Sequence, residues 1–138
     1  MEPRRQIPML VIVWGAMVLS VVFYAFLAWL IVPAREDADP ASWIANPVVV
    51  ALHLVGFSAL LASSIVPGLM ARRLSGEAAA RQAWIVRWAL LESIAIFGLV
   101  LALFLRDARA FLLLGFLSLA GLALAYPHHD NQLSSSDR

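Results

Sequence analysis

Charged residues fall in clusters along this chain, and between the clusters run four apolar segments. The first extends from Pro8 to Val32 without a charge, bounded by Arg4 and Arg5 before it and by Pro33, Arg35, Glu36, Asp37 and Asp39 after it. A helix rises about 1.5 Å per residue and needs roughly 20 residues to cross a bilayer's hydrocarbon core. The pattern therefore predicts four transmembrane helices, over about 8–32, 47–71, 83–105 and 110–126, followed by a polar tail at 128–138. The first run is too long for a secretory signal's apolar region and reads as a retained anchor, although Val32-Pro33-Ala34 is similar to a small-residue cleavage site. Asn46-Pro47 supplies a helix start, Pro67-Gly68 is expected to bend or end the second span, and Pro127 stops the fourth. Only Arg106-Asp107-Ala108-Arg109 separates spans three and four, which makes them a tight hairpin. The expected fold is an all-α membrane protein, one domain of four transmembrane helices in an antiparallel bundle.

Composition supports this. Hydrophobic residues make up 62% of the 138 positions and charged residues only 14%, against about a quarter in soluble domains. All ten basic residues are arginine, and there is no cysteine, which excludes disulfides, thiolate metal sites and a cysteine nucleophile. No basic stripe interleaved with aromatics points to nucleic acid. No nucleophile elbow, phosphate loop, dinucleotide fingerprint or zinc motif is present, and the loops are short. The expectation is a non-enzymatic protein without a cofactor. His128-His129-Asp130 has the composition of a metal site but not the four donors of a closed one.

Arginine placement sets the expected orientation, because positive residues near span ends are retained in the cytoplasm. Arg4, Arg5, Arg72, Arg73, Arg81, Arg87 and Arg138 fall on one side, against Arg35, Arg106 and Arg109 on the other. Both termini are expected in the cytoplasm, with the protein in the inner (plasma) membrane. Trp29 and Trp43 then flank the outer boundary and Trp84 and Trp88 the inner one, whereas Trp14 lies deeper than an interfacial ring requires.

Helices in lipid gain nothing hydrophobic by meeting, so small residues mark where backbones approach closely. Ala16 and Ser20, Ala59 and Ser63, and Gly121 and Ala125 are such pairs, and Ala95, Gly98 and Ala102 form a helix-packing face on the third span. Partners are expected to be the lipid bilayer and either other membrane proteins or further copies of this chain.

Glu92 is the chemical feature that stands out. Counted from Ala83 it lies roughly 14 Å into a core about 30 Å thick. A carboxyl there must be neutral, paired or bound to a cation. One reading makes it a hydrogen-bonded strut to Ser58, Ser63 or Ser64 of the second span; another makes it an ion-binding residue handling a proton or cation; a third is an intermolecular contact. His53, near the outer end of span two, reads as a capping or interfacial histidine, with a proton relay as the alternative.

The segment from Gly68-Leu-Met-Ala-Arg72 through Ala89-Leu-Leu-Glu92-Ser-Ile-Ala-Ile-Phe-Gly98-Leu-Val-Leu-Ala-Leu103 resembles the loop and second helix of the c subunit, or proteolipid, of rotary ATP synthases. Glu92 matches the family's proton- or sodium-binding carboxylate, Gly98-Leu99-Val100 the apolar run after it, and Arg72 the loop arginine. The resemblance covers roughly 40 residues and leaves out spans one and four; span two lacks the family's glycine repeat, and the loop lacks its Arg-Gln-Pro sequence. Two function classes follow: a structural or accessory subunit of a membrane complex, and a proteolipid-like subunit exchanging an ion at Glu92.

Overall fold

The structure, a computed structural model, describes residues 6–32, 40–73 and 76–127. Arg4, Arg5, the cluster at 35–39, His128-His129-Asp130 and the tail lie outside the described residues. Every regular element described is helical: α1 (Gln6–Ile31), the short α2 (Pro40–Ile44), α3 (Pro47–Arg73), α4 (Glu77–Leu105), a 3-10 turn (Ala108–Ala110) and α5 (Phe111–Leu124). Helices α1, α3 and α4 are long and apolar enough to cross a membrane.

Three boundaries differ from the sequence pattern. Helix α3 runs through Pro67 to Arg73. Proline there removes the N–H that would bond the Ser63 carbonyl, a loss that membrane helices tolerate. Helix α4 starts at Glu77, a turn and a half before the expected start, because the polar segment 77–82 is still helical. The fourth apolar segment keeps its expected length but lies two residues earlier: α5 has 14 residues, and with the 3-10 turn the apolar helix covers Ala108–Leu124. At 1.5 Å per residue those 17 residues reach about 25 Å, short of a core about 30 Å thick.

Helix α4 is the element the others share. It packs against α1, α3 and α5, and its largest interface is with α3. Its core side chains Trp88, Leu91, Ile94 and Leu101 are buried, and Leu114 and Leu122 of α5 meet them. Small residues allow the approach. A Cβ on Gly98 would lie 3.2 Å from the Leu114 Cβ and 3.3 Å from the Phe111 carbonyl oxygen, so the two backbones are near contact there. Ala95 and Ala102, on the same stretch of α4, are fully buried. Ser118 of α5 donates to the Leu91 carbonyl at 2.7 Å, adding a polar tie to the same interface.

The α4–α5 connection satisfies its own backbone. Arg106 adopts a left-handed conformation (φ 52°), and the N–H groups of Arg106 and Asp107 return to the carbonyls of Leu103 and Ala102, closing α4 with a Schellman turn. Asp107 is fully buried, accepts from the Arg109 backbone N–H at 3.0 Å and pairs with the Arg109 guanidinium through Nε and Nη2, the latter at 2.8 Å. One carboxylate thereby caps the 3-10 turn and holds the guanidinium of Arg109 within it.

Candidate functional site

Helix α1 is apolar all round, yet it turns one face inward. Leu10, Val21, Ala28 and Val32 are buried, with Trp14, Met17 and Tyr24 packed beside them, giving steps of three and four residues. Ser20 and Tyr24 lie one turn apart on this helix, and both reach Glu92 near the middle of α4.

Tyr24 donates its hydroxyl to Glu92 Oε1 at 3.1 Å, and Ser20 Oγ meets the same oxygen. Ser20 Oγ also lies 2.8 Å from the Met17 carbonyl oxygen. Serine has a single hydroxyl hydrogen, and a carbonyl can only accept. That hydrogen is shared between Glu92 Oε1 and the Met17 carbonyl, while Tyr24 donates to the same Oε1. These contacts tie α1 to α4, within a site only partly buried between them.

The sequence looked for these partners on the second span, and the structure corrects this. Ser58 donates to the Leu54 carbonyl at 2.8 Å from an exposed position, Ser63 donates to the Leu60 carbonyl at 2.7 Å, and Ser64 is exposed. The first two hydroxyls are used within their own helix. Ser20 carried a signal, as a polar residue in an otherwise apolar span, but sequence reasoning assigned it only to close packing. Tyr24 was missed altogether.

Oxygens of Glu92, Ser20 and Tyr24 converge at this point between α1 and α4. His53 stands apart: its Nδ1 donates to the Val49 carbonyl at 2.8 Å, one turn back on α3. It lines a cavity of about 360 Å³ between α2, α3 and α5 with Trp43, Phe57 and Leu113.

Two tryptophans hold the end of α5. Trp14 Nε1 donates to the Leu122 carbonyl at 2.8 Å, and Trp88 Nε1 donates to the Ala125 carbonyl at 3.0 Å. The Trp14 ring also meets Tyr126 edge to face at 4.9 Å. Trp88 is therefore a core residue with no exposed surface, where the sequence reading placed it in an interfacial belt.

No protein family matches the chain, and no curated protein and no solved structure matches it. The class rests on the chain itself: three helices long and apolar enough to span make this a small helical membrane protein.

Proposed function

We propose that the chain is a multi-pass inner-membrane protein with four antiparallel spans and cytoplasmic termini, serving as a non-enzymatic structural or accessory subunit of a membrane complex. The observation that carries this reading is the use of Glu92: its carboxyl is bonded to Ser20 and Tyr24 on α1, so the costly intramembrane acid is spent on joining two helices. The apolar residues left on the outside of α1, among them Phe23, Phe26 and Trp29, offer surface to lipid or to a partner subunit. Helix α5, the shortest of the four, is taken as the fourth span because its carbonyl end is reached by Trp14 and Trp88, which supply the donors that lipid cannot.

The second reading, a proteolipid-like subunit that handles a proton or cation at Glu92, is favoured by the convergence of the Ser20 and Tyr24 hydroxyls on that carboxyl. One experiment separates the two. Glu92→Gln keeps the shape and an acceptor oxygen for Ser20 and Tyr24 but cannot exchange a proton. The accessory role expects this variant to accumulate, to stay folded in detergent and to retain its co-purifying membrane partners, and expects no proton flux from the wild type in proteoliposomes. Proton flux in the wild type that the variant and a hydrophobic carbodiimide both abolish would replace that role with the proton-handling one.

A further inference from the structure

Four arginines gather at one end of the α3–α4 pair. Arg72 and Arg73 close α3, Arg81 and Arg87 lie in the first three turns of α4, and only residues 74–76 separate the two helices. Among the described residues none of the four is ion-paired; the described salt bridge, Arg109 with Asp107, is beyond the opposite end of α4. Arg81 and Arg87 are half-buried, and the Nε of each is withdrawn from solvent without an acceptor. A buried guanidinium N–H left unbonded is costly, and native structures rarely leave one so.

Aromatic rings mark the same level. The Arg87 guanidinium carbon is 5.6 Å from the Trp84 ring centroid, and the Trp84 and Trp88 rings are 5.8 Å apart. Exposed Ile85 lies among these residues on α4, so apolar surface continues directly from the charged end.

We infer that this end of the α3–α4 pair binds the headgroup of an anionic phospholipid, with Arg81 and Arg87 as its anchors. A phosphodiester supplies the missing acceptors, and its two free oxygens match the Nε–Nη edge of a guanidinium. Arg87 lies about 9 Å deeper along α4 than Arg81, within reach of a snorkelling side chain. A zwitterionic headgroup brings its own ammonium to this arginine cluster, whereas an anionic one leaves net attraction. The acyl chains of a lipid lie along the apolar surface that a free phosphate would leave uncovered. This site goes beyond the role proposed for Glu92 and rests only on the helices crossing a bilayer.

The test is native mass spectrometry of the purified full chain in dodecyl maltoside, mixed with equimolar dioleoyl-phosphatidylglycerol and dioleoyl-phosphatidylcholine. The wild type should retain phosphatidylglycerol preferentially. Arg81→Gln and Arg87→Gln should each reduce that preference about five-fold, while Arg106→Gln at the other end of α4 should leave it unchanged. Equal retention of the two lipids by the wild type overturns the inference, whether or not the variants fold. So does an unaltered preference in folded Arg81 and Arg87 variants, and so does full displacement of phosphatidylglycerol by equimolar inorganic phosphate, which would make the site one for a soluble anion.

Discussion

Trp88 donates its indole N–H to the carbonyl of Ala125, 37 positions along the chain, at 3.0 Å and from a fully buried position. Trp14 does the same for Leu122 from α1. The last carbonyls of a helix have no partner within it, and in lipid water cannot supply one. The two indoles explain how so short a helix as α5 ends.

Trp88→Phe keeps most of the ring volume and removes the donor. It should destabilise the chain by about 1–3 kcal/mol, the cost of leaving a buried carbonyl unbonded. Trp14→Phe should behave similarly, and Trp29→Phe, at an exposed position without a described indole bond, should not. Unfolding in mixed micelles followed by circular dichroism checks this; equal effects at Trp88 and Trp29 would remove the capping role.

Tyr24→Phe and Ser20→Ala each take one hydroxyl from Glu92. Each should cost about 0.6–2 kcal/mol, the range for hydrogen bonds between membrane helices. A double-mutant cycle of Tyr24→Phe with Glu92→Leu should show coupling of similar size, because the second change finds nothing left to break. The same cycle with Ser58→Ala should be additive, since Ser58 bonds only within α3.

Gly98→Ala should destabilise by about 1–3 kcal/mol, the cost of overpacking a filled contact. The new methyl meets the Phe111 carbonyl oxygen and the Leu114 Cβ, neither of which can swing aside. Gly15→Ala meets nothing within 4 Å and should be neutral or stabilising by up to about 1 kcal/mol through helix propensity. Thermal unfolding of both variants in one detergent gives the comparison.

Topology is read with single cysteines, since the chain has none of its own. Cysteines replacing exposed Ala45 and Arg106 should react with an impermeant thiol reagent in intact cells, and one replacing exposed Arg73 only after permeabilisation. Asp107 is unsuitable, being buried and paired with Arg109. Labelling of the position 73 cysteine in intact cells with protection of the other two would invert the orientation.

How much could be read in advance varied by element. Spans one to three were visible as uninterrupted apolar length, which needs no knowledge of neighbours. The extent of α5 was not, because the polypeptide stays apolar to Tyr126 while the helix ends at Leu124. Asp107 was legible only as part of the short connection between spans three and four, although an Asp two residues before an Arg is also the spacing at which a carboxylate caps a turn and holds the following guanidinium. Pro67 pointed to a bend or an end of the helix, and the helix continued past it.

The amino-acid sequence by itself determined that this is a helical membrane protein and that Glu92 sits mid-helix among apolar residues, because length, hydropathy and the position of a charge along a helix are local properties. Which neighbour Glu92 faces was decided only by tertiary structure. Helices that are apolar all round carry no pattern distinguishing the face turned to protein from the face turned to lipid, so packing chose Leu10, Val21 and Ala28 as the inner stripe of α1. That choice brought Ser20 and Tyr24, rather than the serines of α3, onto the carboxyl.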